Sequence, residues 1–300
     1  MTRDRKVTVA VLGPGAVGGT IAAWLEASGR VDLSLCVRTP FDRLVVDTSE
    51  RQIEAAPRQL TRPDMTSASD WVLVATKAYD VSGAAAWLAR LAGPDTRVAV
   101  LQNGVEHIAR FAPFVRADRI LPVMVDVPAE RDAPGRIRQR GRGTMLVPAG
   151  DDGSAFADLF EGTGIDVAET DAFNSAVWRK LCINCAGAVM ALTLEGNGAA
   201  WRAPAAQAMR ALVAECVVVG RAEGAALDDS LIEAVVDHYR SGPADGKNSL
   251  HADREAGRPM EWDARNGVVC RLGRKHGIAT PASDTVTALL AAIDEANRAR

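Results

Sequence analysis

Apolar and polar positions follow two regimes along the chain. Up to about residue 170, short apolar runs alternate with helix-like stretches. Val7 to Leu12 is an apolar, β-branched run, and Thr20 to Ser28 repeats at helical spacing until Gly29. Val31 to Val37 alternates and reads as a second strand. Trp71 to Thr76 and Arg97 to Leu101 read as buried strands, separated by a helix over Ala84 to Leu91 that Gly93-Pro94 ends. Ile120 to Val127 adds one strand. Arg136 to Val147 reads as an exposed hairpin, Asp151 to Gly162 as a helix and Ile165 to Glu169 as a last strand. Phe41 to Ser69 mixes Asp and Arg with two prolines and is expected to hold short edge strands. Such alternation predicts an α/β, Rossmann-type, doubly wound parallel sheet.

From Asn174 the regime changes to longer helical repeats. Asn174 or Ser175 is expected to cap a helix over Ala176 to Asn184. Ala203 to Arg221 is a long helix ending near Gly224, and Asp228-Asp229-Ser230 caps the next. Trp262 to His276 reads as one helix stopped by Gly277, and Thr280-Pro281 opens the last. The expected division is therefore residues 1–170, a nucleotide-binding domain, and 171–300, an all-α substrate and dimerisation domain. The apolar triplets Ala211-Leu212-Val213 and Val217-Val218-Val219 exceed what one core requires and suggest a homodimer.

The first strand ends in Gly13-Pro14-Gly15-Ala16-Val17-Gly18, and a helix follows. Strand, tight turn and helix form the context a dinucleotide fingerprint needs. Gly13 allows the turn, Gly15 leaves room for a pyrophosphate, and Gly18 lets helix and strand approach. The phosphates would sit at the helix N-terminus, where unpaired N–H groups favour negative charge. A NAD site expects a carboxylate about 20 residues on, at the end of strand two. Here Arg38-Thr39 stands there. A guanidinium attracts the 2′-phosphate that a carboxylate repels, so NADP(H) is favoured, with a solvated surface Arg as the alternative. Lys77 and Asn103 follow two further strand ends, which places them beside the pyrophosphate crevice.

Composition narrows the setting. With 300 residues, 48% of them hydrophobic, the chain can bury a full core. A net charge of −3 argues against a general nucleic-acid surface, and the basic run from Arg136 reads as a solvated strand face. No apolar run looks long enough to span a bilayer, and Met1 to Lys6 leads straight into the first strand without a leader. Five cysteines, an odd number, fit free thiols in a reducing cytoplasm. Cys182 and Cys185 form a C-x-x-C inside a helix and read as core. His251, Asp253 and Glu255 are spaced wrongly to meet on one helix face as metal ligands, so no metal is expected.

Lys180 and Asn184, four apart, share a helix face. A Lys inside an apolar helix either lines a cleft, where burial lowers its pKa toward that of a proton donor, or snorkels to the surface. A second polar stretch runs from Asn248 to Gly267 with Glu261 near a helix start.

With these blocks in view, the sequence resembles the ketopantoate reductase family. The match rests on the glycine loop, Thr76-Lys77, Gln102-Asn103-Gly104, Trp178-Arg179-Lys180-Leu181-Cys182-Ile183-Asn184, and a C-terminal block of Asn248-Ser249, Asp253, Gly257-Arg258-Pro259, Glu261, Asp263 and Asn266-Gly267, continuing to Thr280-Pro281. The resemblance implies NADPH-dependent reduction of a 2-keto acid to the 2-hydroxy acid. It implies Lys180 as general acid and Glu261 as the carboxylate that holds the reacting region. Asn184 and Ser249 are implied as substrate contacts, Asn103 as a residue between cofactor and substrate, Lys77 as a cofactor contact and Arg38 as the 2′-phosphate contact. One departure stands out. The family's second Asn, four residues past the first and often followed by Pro, is here Ala188-Val189. Two other classes stay open at this point: a non-catalytic NADP-binding sensor, and a related dehydrogenase acting on an amino acid or opine. Retention of both Lys180 and Glu261 favours the reductase.

Overall fold

The computed structural model describes residues 5–298. The expected lead from Met1 into the first strand therefore has its first four residues outside the described range. The chain divides after Phe173 into two compact units, with Gly104–Glu106 grouped with the second.

In chain order the first unit holds β1 (Val7–Leu12), α1 (Ala16–Ser28), β2 (Val31–Cys36), β3 (Leu44–Asp47), β4 (Gln52–Ala55), β5 (Arg58–Leu60), β6 (Trp71–Val74), α2 (Val81–Leu91), β7 (Arg97–Val100), α3 (His107–Phe111), β8 (Ile120–Pro122), β9 (Met124–Asp126), β10 (Ala129–Ala133), β11 (Arg136–Gln139), β12 (Gly143–Pro148), α4 (Asp151–Leu159) and β13 (Ile165–Thr170). Six strands form a parallel sheet in the order β5-β2-β1-β6-β7-β8. Val11 pairs with Leu35 on one side and Leu73 on the other. The chain leaves β1 in one direction for β2 and returns on the opposite side for β6. The switch point between β1 and β6 is where such sheets leave a crevice beyond the carboxyl ends of their strands.

Helix α1 is buried without interruption from Gly18 to Leu25, as a helix apolar on every side must be. The parallel sheet covers one side of it. The other meets a second sheet of order β10-β11-β3-β4. Trp24 Nε1 donates to Gln139 Oε1 at 2.9 Å across that contact. A Cβ on Gly19 would collide with Ile137 of β11.

Two expectations are corrected here. Arg136 to Val147 is not a hairpin. Strand β11 pairs with β10 and β3, whereas β12 pairs with β9 and β13 in a third sheet. Arg140 N donates to Pro128 O at 2.8 Å and Gln139 Nε2 to Gly141 O at 2.7 Å, so the chain turns from one sheet into the next. A Gly-containing turn between alternating runs looks the same in sequence whether the strands pair or part. Ile120 to Val127 likewise is two strands, β8 in the parallel sheet and β9 in the third. Basic residues of this region stand on exposed faces, Arg138 paired with Asp132 at 2.8 Å and Arg140 with Glu130 at 2.5 Å.

The second unit is helical, with α5 (Phe173–Ala186), α6 (Ala188–Thr193), α7 (Ala203–Ala222), α8 (Ser230–Ser241), α9 (Ser249–Glu255), α10 (Val268–His276) and α11 (Pro281–Arg298). Neither Asn174 nor Ser175 caps α5, which already begins at Phe173. Both instead fasten the chain beyond α7: Asn174 Nδ2 donates to Glu223 O at 3.0 Å, and Ser175 Oγ accepts from Ala226 N at 2.9 Å. The helix expected over Trp262 to His276 is interrupted by one wide π-helical turn at Asp263–Gly267.

Helix α7 corrects two readings. At 20 residues it is long and apolar enough to meet the length and composition of a membrane span, contrary to expectation. Yet Leu212, Val213, Val217 and Val219 are buried within the unit, and only Ala211 and Val218 of the two triplets are exposed. Four of the six residues read as an interface are thus core. All five cysteines are free and buried, Cys182 and Cys185 among them.

Candidate active site

The first unit positions the glycine loop. Gly13 adopts a φ of +79°, open to glycine at little cost, and a Cβ there would lie 2.8 Å from Thr76 N. Gly15 N donates to Gly13 O at 2.7 Å, closing the turn across Pro14. A Cβ on Gly18 would strike Gly13 O and come within 2.8 Å of Ala75 Cβ. Gly15 differs from both, since a Cβ there would meet nothing within 4 Å. Its bare backbone borders open space. Helix α1 starts there at Ala16 with Val17, carrying no side-chain cap and no acidic residue in its first turn. That is a favourable seat for a pyrophosphate. The residues present fit the dinucleotide that the loop implies.

Around the loop, the ends of β6 and β7 are tied together by Gln102. Its Nε2 donates to Thr76 Oγ1 at 3.1 Å and to Lys77 O at 3.3 Å. Arg110 Nη1 donates to Gln102 Oε1 at 3.1 Å, and His107 Nε2 lies 2.8 Å from Gln102 O. Lys77 and Asn103 are half-buried on this frame. Sequence reasoning quoted Gln102 without a role and missed Arg110. Arg38, just past β2, is exposed and ion-paired with Asp80 at the start of α2.

The second unit holds the other candidates. Lys180 and Asn184 lie half-buried on one face of α5. The last turn of this helix is held from outside. A helix end leaves backbone carbonyls without intrahelical partners. Tyr239 Oη donates to Ile183 O at 2.7 Å, Arg265 Nη2 to Asn184 O at 3.1 Å, Asn266 Nδ2 to Cys185 O at 3.2 Å, and Asn248 Nδ2 to Gly187 O at 2.9 Å. Asn248 also caps α9, its Oδ1 accepting from His251 N at 2.9 Å. It thereby sets Ser249, the first residue of α9, relative to the end of α5.

Arg265 is a second residue whose role sequence reasoning missed. It is 1% exposed and sits in the π-helical turn, which aims it and Asn266 at successive carbonyls of α5. Its Nη2 also donates to Asn184 Oδ1 at 3.1 Å, and its Nη1 to Ser249 Oγ at 3.3 Å. Burial pushes this guanidinium down from its usual pKa, opposed by the negative potential of Tyr239, Glu261, Cys185 and Asp253. Glu261, one turn earlier, is itself buried. Opposite charges four apart at the start of one expected helix, Glu261 and Arg265, were the available signal. Ala188 is fully buried at the start of α6 and supplies no polar group. No cluster of metal-ligating side chains occurs among the described residues.

Known proteins resemble this chain over nearly its whole length. The family model for ketopantoate reductase PanE/ApbA matches residues 9–152, and that for its C-terminal part matches residues 172–294. A Caulobacter vibrioides protein named 2-dehydropantoate 2-reductase is 54% identical over 283 residues, covering 94% of this chain and 98% of the relative. The crystal structure of a PanE/ApbA family ketopantoate reductase from Ralstonia eutropha superposes with a TM-score of 0.89 at 29% identity, over 97% of this chain and all of the other. A dimeric ketopantoate reductase from Staphylococcus aureus shares the fold, with a TM-score of 0.85 at 22% identity over 97% of this chain and all of the other.

Proposed function

This chain belongs to the ketopantoate reductase family and is an oxidoreductase acting on CH–OH groups, and we propose that it reduces a 2-keto acid, ketopantoate foremost, to the 2-hydroxy acid with NADPH. The 54% identical relative bears the name of that reaction, which supports ketopantoate despite Ala188. The observation that carries the reading is Lys180 and Asn184 on one face of a helix whose end is fastened by neighbouring side chains.

Residues 1–170 would hold the cofactor and 171–300 the substrate. The glycine loop and the N-terminus of α1 would hold the pyrophosphate, Lys77 and Asn103 would flank it, and Arg38 would take the 2′-phosphate. When bound, NADPH supplies the hydride that reaches the carbonyl carbon. Lys180 gives the ketone oxygen a proton from its ammonium and steadies the negative charge that develops there. The amine left behind regains a proton from solvent. Glu261 orients the reacting region, while Asn184 and Ser249 bond the substrate, with Asn103 at the cofactor side. A sensor would have no use for a proton donor and its partner carboxylate. The homodimer expected from the sequence finds its support in the dimeric relative rather than in α7. Light scattering at micromolar concentration tests it, and a monomer there sinks it. Buried free thiols suit the cytoplasm.

A panel of 2-keto acids, each assayed for oxidation of NADPH and of NADH, tests the reaction. Turnover of ketopantoate with NADPH supports it. Failure of every 2-keto acid with both cofactors ends it.

A further inference from the structure

A guanidinium only donates hydrogen bonds. Whatever faces Arg265 must therefore accept, and this fixes two neighbouring side chains. The amide atom of Asn184 beside Arg265 Nη2, at 3.1 Å, has to be Oδ1. Asn184 Nδ2 then points away from Arg265, on a half-buried residue, and bonds no group among the described residues. Ser249 Oγ accepts from Nη1 at 3.3 Å, so its own proton is directed elsewhere, and the residue is exposed. Arg265 converts both side chains into donors. Its hydrogen bonds all end on neutral oxygens, Asn184 O, Asn184 Oδ1 and Ser249 Oγ, and its buried Nε has no acceptor among the described residues. Glu261 and Asp253 offset its charge through space. A pair of donors backed by a buried cation suits a group that accepts everywhere and carries negative charge.

We propose that Arg265 is a positioning residue that makes Asn184 and Ser249 a donor pair for the carboxylate of the substrate, and so selects acids over their neutral counterparts. This rests on the 2-keto acid reading of the reaction. It adds a residue and a chemical reason for the selection. It also gives this site a source of polarity that does not depend on an Asn at position 188, where a buried Ala stands.

The test compares ketopantoate with ketopantoyl lactone, which keeps the ketone and lacks the free carboxylate. Wild type should prefer the acid. Arg265→Met should raise KM for the acid at least tenfold, with kcat changed less than about threefold and NADPH affinity unaltered. Its kcat/KM for the lactone should stay near that of wild type. A role confined to stability would lower the melting temperature and leave the acid-to-lactone ratio alone, and that result overturns the proposal. Should Arg265→Met not fold, Asn184→Asp carries the test. A carboxylate there would take the guanidinium and present no donor, so the variant should melt no lower than wild type and lose at least tenfold in affinity for the acid. Acid binding like that of wild type would overturn the proposal. A wild type that reduces no 2-keto acid defeats the reaction and this inference together, whereas an active wild type with an unchanged ratio in Arg265→Met defeats this inference alone.

Discussion

Arg38 and Asp80 form an ion pair that joins the end of β2 to the start of α2. Its guanidinium is largely exposed, so the pair adds little to stability. A 2′-phosphate would compete with Asp80 for the same donors. Arg38→Ala should therefore lower kcat/KM for NADPH by about 1.5–3 kcal/mol, the worth of a hydrogen bond to a charged group, and leave NADH nearly untouched. Asp80→Asn should raise NADPH affinity, most at low salt. Equal use of both cofactors by wild type would refute the assignment.

Lys180→Ala should cut kcat by about 10²- to 10⁴-fold, the usual contribution of a general acid. Cofactor affinity should hold, because the groups proposed to bind NADPH are elsewhere in the sequence. Lys180→Arg should not restore the rate, since a guanidinium is too weak an acid to release its proton near neutral pH. Glu261→Gln should also slow turnover. Stopped-flow hydride transfer is the measurement, and an unchanged chemical step in Lys180→Ala removes the residue from the reaction.

The end of α5 allows a graded stability test. Ile183 O accepts from Gly187 N at 3.0 Å as well as from Tyr239 Oη. Tyr239→Phe leaves that acceptor satisfied and should cost only about 0.5–1.5 kcal/mol. A Cβ on Gly187, by contrast, would lie 2.5 Å from both Asn248 Nδ2 and Tyr239 Oη. Gly187→Ala should displace both donors and cost about 1–3 kcal/mol, as overpacking does. Urea denaturation ranks the two, and the reverse order would contradict the described packing.

Glu223 at the end of α7 bonds Lys275 Nζ at 2.8 Å and His276 Nε2 at 2.5 Å, and these partners hold its carboxyl below the usual Glu value. A lowered folded pKa means stability that is complete above the unfolded value and is lost as pH falls through the folded one. Melting temperatures taken from about pH 7 down to about pH 3 should fall less steeply for Glu223→Gln than for wild type. Parallel acid limbs would show that the pair does not contribute.

Much of this was legible because periodicity and glycine chemistry are local. The parallel sheet, the glycine loop and the shared face of Lys180 and Asn184 all follow from neighbours a few residues apart. Partners of a strand are not local. The Gly141 turn reads the same whether β11 and β12 pair or part, and their separation depends on β3, β9 and β13. The apolar triplets of α7 show only that the helix is wanted inside something; whether that is a core or an interface is a tertiary fact. Arg265 was hidden for a related reason. A single wide turn at Asp263–Gly267 changes which side chains of an apparently regular helix face inward, and no spacing rule for an ideal helix anticipates it.

The fastening of α5 by Tyr239, Arg265, Asn266 and Asn248 separates two duties that a helix end ordinarily combines. Because borrowed donors close the last turn, the side chains of α5 and of the first turn of α6 are left to vary with the substrate. If the proposed function holds, a polar residue at position 188 should change substrate preference while the anchorage of Lys180 stays in place. For an engineer this marks where to cut: new substrates are to be sought through residues 184, 188 and 249, on a backbone that the four borrowed donors keep in register.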